Sequence, residues 1–267
     1  MRNFPKTSYL LFFLVSAPSA AQDFRDDIPF FDLKSTIKEV KRSVVSIEAL
    51  ARADDINRIN PTLLGSGFVT MKTGNPYAIT NYHVVRNIPQ THRILVGVNF
   101  AQGKAYFIAS LLSADPKSDI AVLAVKDSIL SRLSVPRDSL KLNQVTVDLP
   151  MYSDTSEMLE GEAVVIVGFP LGIGSEIVSN EPVSRIGIVA QSLNINDTFL
   201  LDATASHGNS GSPVFNIRNN KLMGMIVGFR NDYIEAFDET QQVVARLPYN
   251  SGICLCISAR AIMKILP

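Results

Sequence analysis

The sequence has few residues that could form crosslinks and no excess of charge of either sign. Its 267 residues include two cysteines and three histidines, and 25 basic residues balance 25 acidic ones. A neutral chain has no electrostatic support for binding nucleic acid. Cys254 and Cys256 would face the same side of one strand, near the upper distance limit for a disulfide and with poor vectors for one. We therefore expect two buried thiols; a metal site stays open, but no second ligand pair lies nearby.

The chain also lacks an apolar run near its N-terminus that is long enough to cross a bilayer. A membrane span needs about 20 apolar residues, whereas the run at residues 9–15 has seven. Arg2 and Lys6 precede this run and small residues follow it, which is typical of a secretory signal peptide at residues 1–21. We expect cleavage after Ala20 or Ala21, an exported periplasmic or secreted protein, and no stable membrane insertion of the mature chain.

Short β-rich runs bounded by turn residues recur along the rest of the chain. They predict twelve strands, at residues 44–49, 67–70, 78–80, 94–98, 105–111, 120–125, 163–168, 183–191, 199–203, 213–216, 222–227 and 253–257. Short helices are predicted at 36–42, capped by Ser35, and at 259–266, capped by Ser258. Many short strands without long helices between them indicate an all-β barrel architecture.

Two polar stretches interrupt this pattern. Residues 131–154 contain proline and separate the chain into two halves. Residues 230–251 form a long, poorly periodic segment. That segment is either a substrate-gating loop or an inert insertion, and the sequence does not decide between them.

The most informative motif is His-Gly-Asn-Ser-Gly-Ser-Pro at residues 207–213, which places Ser210 between two glycines. Glycine lets the backbone turn and approach a ligand closely. Such a turn can aim the amides of Gly208 and Ser210 at one point, as an oxyanion requires. Gly-Asn-Ser-Gly by itself is also a common turn sequence. The interpretation of Ser210 as a nucleophile therefore needs support from other motifs.

A serine nucleophile needs a base, and the base needs a carboxylate that orients it. His83 ends a β-rich apolar run, and Asp119 stands at the start of another apolar strand. The order His83, Asp119, Ser210 is the one found in chymotrypsin. The chain has only three histidines, so a chance match to this order is improbable.

Four other residues compete for these roles. His92 lies in a polar stretch without a motif. His207 is too close in sequence to Ser210 to be its base, and we expect it to line the pocket. Asp115 precedes a proline and is typical of a turn, and Asp202 ends a predicted strand. Asp119 is favoured because it alone opens the Ser-Asp-Ile-Ala-Val-Leu strand at residues 118–123.

Together these motifs resemble chymotrypsin-fold serine proteases of the bacterial trypsin-like type, the group that holds the HtrA/Deg proteases and the staphylococcal glutamyl endopeptidases. Residues 80–85 are similar to the histidine motif, residues 118–123 to the aspartate motif and residues 208–216 to the serine motif. Residues 65–69 and 164–172 carry two less specific similarities. The resemblance spans roughly residues 35–267.

The resemblance implies an all-β fold of two six-stranded antiparallel β-barrels with a short N-terminal and a C-terminal helix. One protease domain at 22–267 would hold a first barrel at about 43–130 and a second at about 155–258. No PDZ module is expected after it. His83 and Asp119 would come from the first barrel and Ser210 from the second, so that the cleft between them holds the site.

The function implied is that of a secreted or periplasmic serine endopeptidase that acts on polypeptides through an acyl-enzyme. Ser210 would attack the carbonyl, His83 would transfer the proton, Asp119 would orient His83, and the Gly208 and Ser210 amides would bind the oxyanion. This chemistry needs no metal or other cofactor. The alternative is a catalytically silent peptide-binding or chaperone-like scaffold of the same fold.

The resemblance also carries weaker expectations about specificity and activation. It places the floor of the substrate pocket at Thr204, with Ala205 beside it. It places Ile226 at the position where glutamyl endopeptidases carry a histidine. It places Phe229 where a small residue would leave the pocket open, so that the phenylalanine side chain would narrow it. These residues predict cleavage after small or medium apolar residues. Asn209 lacks the charge that would hold a buried N-terminal ammonium, which predicts an oxyanion loop independent of a free N-terminus.

Overall fold

A computed structural model describes residues 33–56, 60–100, 103–131, 158–173, 181–193 and 197–267. The predicted signal peptide and nearly all of the polar 131–154 stretch lie outside these residues. The helices are α1 (Leu33–Ser43), α2 (Tyr82–Val85) and α3 (Ala259–Ile265). The strands are β1 (Val44–Ala51), β2 (Thr62–Lys72), β3 (Asn75–Asn81), β4 (His92–Phe100), β5 (Gly103–Asp115), β6 (Ile120–Ser131), β7 (Ala163–Gly168), β8 (Val183–Leu193), β9 (Thr198–Asp202), β10 (Pro213–Asn216), β11 (Leu222–Phe237) and β12 (Val243–Ser258).

The twelve strands form two closed antiparallel barrels of six strands each. The order in the first is β1-β2-β3-β6-β5-β4, closed by pairing of β1 with β4. The order in the second is β10-β11-β12-β9-β8-β7, closed by pairing of β10 with β7. The predicted chymotrypsin-like all-β fold is confirmed, and each predicted strand overlaps one observed strand.

Alternate residues of the first barrel face two different cores. Val45 and Val69 point into the barrel, whereas the adjacent Val44 and Phe68 pack outside it against the second barrel. A strand that is covered on both faces has a continuous run of apolar residues, whereas a strand with one exposed face alternates apolar and polar residues. We call the cluster between the barrels the shared core; its largest buried side chains are Phe68, Ile79, Ile120, Phe169, Phe215 and Leu222.

Two local predictions are corrected by the structure. Helix α1 begins at Leu33, so Ser35 lies within the helix and is not its N-cap. The polar segment 230–251 is not an irregular loop, because β11 and β12 continue through it as a long hairpin. Asp238 closes the hairpin turn by accepting hydrogen bonds from the backbone amides of Thr240 (2.8 Å) and Gln242 (2.9 Å).

In the C-terminal part of the second barrel, the predicted helix cap and the two predicted buried thiols are both observed. Ser258 caps α3 by accepting a hydrogen bond from the Ala261 amide at 3.4 Å. Cys254 and Cys256 lie in β12 as buried free thiols. Burial raises the pKa of Cys254 to about 11, so its thiol stays protonated at neutral pH. None of the helices in the described ranges is long and apolar enough to span a membrane.

Candidate active site

His83 is held where β3 ends. The strand stops at Asn81, and the single turn of α2 follows, with His83 as its second residue. Val84 and Val85 are buried in the first barrel and anchor the turn. The His83 side chain, about one third exposed (35%), projects into a cleft. Local sequence thus fixes both the end of the strand and the position of the imidazole.

Asp119 lies in the turn between β5 and β6 and contacts His83 twice. Its Oδ2 lies 2.6 Å from His83 Nδ1, and its Oδ1 accepts a hydrogen bond from the His83 amide at 2.8 Å. Asp119 has a φ of 55°, a left-handed conformation that aspartate tolerates better than most residues. A carboxylate on Nδ1 fixes the tautomer of the imidazole and leaves Nε2 as the basic nitrogen. The Asp119 carbonyl also accepts hydrogen bonds from the Asn81 side chain (3.0 Å) and the Tyr82 amide (3.1 Å).

Ser210 enters the same cleft from the second barrel. The cleft has a volume of about 730 Å³, and its walls include His83, Gly208 and Ser210. The Ser210 hydroxyl donates a 3.4 Å hydrogen bond to the Val227 carbonyl. A hydroxyl at that distance is held weakly. Among the described residues, the hydrogen bonds of His83 go to Asp119 and none joins it to Ser210.

The loop before Ser210 leaves two amides free. The His207 carbonyl accepts a hydrogen bond from the Leu171 amide at 2.6 Å, and the Gly208 carbonyl accepts one from Ser66 Oγ at 2.7 Å. Both carbonyls are thereby held by the protein. Among the described residues, neither the Gly208 nor the Ser210 amide has an acceptor. Gly208 has a φ of 91°, and a Cβ there would lie 2.3 Å from the Phe169 carbonyl oxygen, so only glycine fits.

Ser66 is a site residue that the sequence did not reveal. It is fully buried in β2, and its hydroxyl accepts a hydrogen bond from the Phe169 amide at 2.9 Å while donating to the Gly208 carbonyl. Its backbone amide donates to the Ser210 carbonyl at 2.8 Å. The only signal was the glycine-rich sequence at 65–69, which suggests a strand but not this contact with a loop 142 positions further along the chain.

The four predicted pocket residues take different places. Ile226 and Phe229 line the cleft, and the Phe229 ring meets the ring of His207 edge-on at 5.6 Å. Thr204 is exposed and Ala205 is buried, and neither borders the cleft, where Ser206 and His207 stand instead.

Among the residues that the structure describes, no lysine, arginine or acidic side chain lines this cleft. Its apolar wall consists of Leu63, Leu64, Leu171, Ile226, Val227 and Phe229. Of the four competing residues, His207 lines the cleft as predicted, whereas His92, Asp115 and Asp202 do not border it. His92 begins β4 beside Thr91, Asp115 accepts a hydrogen bond from the Lys117 amide at 3.0 Å, and Asp202 ends β9. Asn209 is buried, and its Oδ1 has no partner within the described residues.

A profile of the trypsin-like peptidase domain matches residues 65–225, which is more than half of the chain and includes His83, Asp119 and Ser210. The chain belongs to the trypsin-like peptidase family. The curated proteins that are similar in sequence to this chain confirm the predicted resemblance to bacterial HtrA-type serine proteases.

Three curated relatives illustrate this similarity. The serine endoprotease DegS of Haemophilus influenzae is 29% identical over 197 residues, or 72% of this chain and 50% of DegS. The periplasmic pH-dependent serine endoprotease DegQ of Escherichia coli is 31% identical over 61% of this chain and 30% of its own length. A probable periplasmic DegP-like endoprotease of Rickettsia prowazekii is 28% identical over 61% and 27%, respectively. The chain therefore spans half or less of the relatives it matches.

The fold has a counterpart among solved structures. The HtrA-type protease AlgW, solved with a decapeptide, superimposes with a TM-score of 0.57 over 87% of this chain and 65% of AlgW. At 18% sequence identity, this likeness shows the shared fold and no more.

Proposed function

We propose that this protein is an exported serine endopeptidase that cleaves polypeptides through a Ser210–His83–Asp119 triad. The observation that carries the proposal is the 2.6 Å contact between His83 Nδ1 and Asp119 Oδ2 in a cleft that also contains Ser210. The names of the relatives support endoprotease activity and a periplasmic location.

Catalysis would begin when the Ser210 hydroxyl leaves the Val227 carbonyl and turns to His83 Nε2. His83 accepts the proton as Ser210 Oγ attacks the substrate carbonyl, and Asp119 stabilises the imidazolium that forms. The negative charge that develops on the carbonyl oxygen is bound by the free amides of Gly208 and Ser210. His83 then returns the proton to the leaving amine, and water hydrolyses the acyl-enzyme by the same steps in reverse.

A fluorophosphonate probe tests the nucleophile directly. The probe should add to Ser210 in the wild type and should fail to label Ser210→Ala. His83→Ala should slow peptide hydrolysis by about 10³-fold or more, because the base is lost. His92→Ala is the matched control, since His92 lies outside the cleft, and it should keep wild-type turnover. A folded wild type that the probe leaves unlabelled would favour the peptide-binding scaffold instead.

The chemistry of the cleft wall also supports a preference for small or medium apolar residues before the scissile bond. Within the described part of the wall, no lysine or arginine could pair with a substrate glutamate, and no carboxylate could pair with a substrate lysine or arginine. Leaving a substrate charge unpaired in a desolvated pocket is costly. A peptide library that varies this position should be cut mainly after Ala, Val, Thr or Leu. Cleavage mainly after Glu, Lys or Arg would refute the proposed specificity.

A further inference from the structure

A second cavity, on the first barrel, collects positive charge. Its volume is about 400 Å³, and four cationic side chains line it, those of Arg52, Arg86, Arg93 and Lys126. No aspartate or glutamate is among the described residues that border it. We call this space the basic cavity. Because the chain as a whole has 25 basic and 25 acidic residues, the basic cavity is a local excess of one sign.

Neutral backbone groups hold two of these cations in place. Arg52 Nε donates a hydrogen bond of 3.0 Å to the Gln90 carbonyl, and Arg93 Nη2 donates one of 3.0 Å to the Arg52 carbonyl. A carbonyl orients a guanidinium without cancelling its charge, and each guanidinium has further N–H donors for a ligand. Like charges that are held together repel one another, and an anion that binds among them relieves this repulsion.

The other two cations are exposed to solvent. Arg86 follows α2 directly, and Lys126 lies on β6. In the described part of the chain, neither side chain forms an ion pair. Both side chains are long enough to move towards a bound anion.

Much of the remaining lining of the basic cavity is apolar. Tyr82, Ile88, Ile94, Ile108 and Leu111 contribute to it, and Leu111 is 45% exposed. Ile88 and Ile94 also pack against the core of the first barrel, which fixes the shape of this surface. A simple inorganic anion would leave the apolar lining in contact with water. The ligand that fits the whole cavity combines negative charge with apolar groups.

Helix α2 separates the basic cavity from the candidate cleft. His83 lines the cleft, whereas Tyr82, Val85 and Arg86 line the basic cavity. Residues three and four apart share one face of a helix, and the next residue in sequence points in another direction. Because a helix with its side chains is about 10 Å across, the two spaces lie on neighbouring sides of one short turn.

The chemistry of the proposed triad determines which part of a substrate passes α2. His83 returns its proton to the leaving amine, and this nitrogen belongs to the residue that follows the scissile bond. The substrate chain after the bond therefore starts beside His83, on the side of the first barrel. A distance of about 10 Å corresponds to roughly three residues of an extended chain, so the residues just beyond can reach the basic cavity.

We propose that the basic cavity binds an acidic segment of the polypeptide substrate, about three to six residues after the scissile bond. This binding site rests on the proposed function. Carboxylates of the segment pair with the four cations, and an apolar residue among them covers the apolar lining. A recessed cavity admits single side chains of a flexible segment, whereas the headgroups of a flat bilayer contact protruding surfaces. The favoured substrates carry aspartate or glutamate together with apolar residues after the cleavage site.

Three peptides with one common scissile bond test this site on the wild-type protein. The acidic peptide carries Glu-Asp-Ile-Glu at the third to sixth positions after the bond, and the amide peptide carries Gln-Asn-Ile-Gln there. The matched control carries Glu-Asp-Ile-Glu before the bond and Gln-Asn-Ile-Gln after it. We expect kcat/KM to be about tenfold higher for the acidic than for the amide peptide, because several exposed ion pairs contribute about 1.5- to 5-fold each. The control should show no such gain. Raising the ionic strength from about 0.05 M to about 0.5 M should remove most of the gain.

Charge reversal in the protein provides the complementary measurement. In Arg86→Glu combined with Lys126→Glu, the ratio of kcat/KM between the acidic and the amide peptide should fall below one, because the acidic segment now meets like charge. A ratio within one variant is independent of any loss of folded protein. Lys38→Glu combined with Arg218→Glu is the matched control, since both residues are exposed outside the basic cavity and the net charge changes equally. This control should keep the wild-type ratio.

The outcomes separate the binding site from the proposed activity. Probe labelling of Ser210 with equal kcat/KM for the acidic and amide peptides would overturn the binding site alone. If the protein is neither labelled nor active, the proposed function fails, and fluorescence anisotropy with labelled peptides still tests the cavity. A preference for the acidic peptide that the charge reversal abolishes would support the site, and equal binding would overturn it as well. Binding to vesicles of anionic phospholipid that the charge reversal abolishes, without a peptide preference, would assign the cavity to a membrane surface and overturn the proposal.

Discussion

Ser66 joins three backbone groups that belong to the candidate site. Its hydroxyl lies between the Phe169 amide and the Gly208 carbonyl, and its amide holds the Ser210 carbonyl. These contacts connect β2 of the first barrel to the loop that carries Ser210. Because oxyanion binding depends on donors that are already positioned before the reaction, we expect Ser66 to act as a positioning residue for the loop that carries the proposed oxyanion donors.

Ser66→Ala should therefore lower kcat by about 10- to 100-fold with little change in KM. The Phe169 amide and the Gly208 carbonyl would each lose a buried partner, and the peptide between Gly208 and Asn209, in the loop just before Ser210, would lose its fixed orientation. Steady-state kinetics on a short peptide would measure the effect, and the rate of fluorophosphonate labelling should fall in parallel.

Ser43→Ala is a matched control for this substitution. Ser43 is also fully buried, and its hydroxyl donates to the Val40 carbonyl at 2.9 Å at the end of α1. Each variant should lose about 1–2 kcal/mol of stability, because each leaves a buried polar group unpaired. An equal loss of kcat in both variants would show that the effect of Ser66→Ala is one of stability alone.

At the scale of single residues, the sequence predicts best where the chemistry is local. His83, Asp119 and Ser210 each stand in a short motif that combines a strand end or turn with the required side chain, and the structure brings His83 and Asp119 to 2.6 Å. Of the pocket residues, Ile226 and Phe229 line the cleft as the resemblance implies. The resemblance places the pocket floor at Thr204, but it cannot include the turn geometry that puts Ser206 at the cleft instead.

At the scale of secondary-structure elements, the carboxylate of Asp197 connects helix α3 to the second barrel. Asp197 lies in the turn before β9 and accepts hydrogen bonds from Arg260 Nε and from Lys264 Nζ, both at 2.6 Å. Burial by itself would raise the pKa of Asp197, but the hydrogen bonds and charges of Lys264 and Arg260 outweigh it and lower the pKa below 3.8. The ionised form of Asp197 therefore stabilises the folded protein.

Asp197→Asn should cost about 1–2 kcal/mol of stability at neutral pH, which lowers Tm by about 2–4 °C per kcal/mol in a protein of this size. Asn also tolerates the left-handed φ of 58° found here, so backbone strain should not contribute. A group with a lowered folded pKa stabilises the protein above its unfolded pKa, and the effect is lost as pH falls through the folded pKa. The Tm difference between wild type and variant should therefore shrink below about pH 4.

Thermal unfolding over a pH series would measure this difference. Asp202→Asn is a suitable control, because Asp202 is exposed at the other end of β9 and should leave Tm nearly unchanged. A Tm difference for Asp197→Asn that stays constant down to acid pH would contradict the assignment.

The hairpin shows why one element escaped prediction. Residues 230–251 carry many polar side chains because both strand faces are exposed, so the alternation of apolar and polar residues that reveals a half-buried strand is missing. Pro248 lies opposite Tyr233 within the hairpin, and proline argues against a central strand but is tolerated where the strand is an edge.

At the scale of the whole molecule, the shared core couples the two barrels. Phe68, Ile79 and Ile120 of the first barrel pack in one buried cluster with Phe169 and Phe215 of the second. Since neither barrel can expose this surface to water without a large loss of hydrophobic stabilisation, the two barrels should unfold together.

Phe68→Ala should destabilise the protein by about 3–5 kcal/mol while preserving a single unfolding transition. Calorimetry should give equal calorimetric and van't Hoff enthalpies for the wild type and the variant. Phe107→Ala serves for comparison, because Phe107 is buried within the first barrel only, and it should shift the same single transition. Two separate transitions, of which Phe107→Ala moves only one, would show that the barrels unfold independently.

The two-barrel architecture was predictable in part. Short β-rich runs with turns between them predict the number of strands, because turn residues and β-branched residues act locally. The pairings that close the barrels, β1 with β4 and β7 with β10, join strands that are distant in sequence, and only the family resemblance implied them.

The hairpin beyond the cleft can change length without disturbing the candidate active site. Its rungs repeat regularly from Asp232–Tyr249 to Ala236–Ala245, so inserting or deleting one residue in each strand keeps the register at Asn231–Asn250. The hairpin thus behaves as a module whose length natural variation or protein engineering can adjust in steps of about 3.4 Å. Proteins of this fold could in this way differ in how far the hairpin projects while both barrels and the cleft between them stay unchanged.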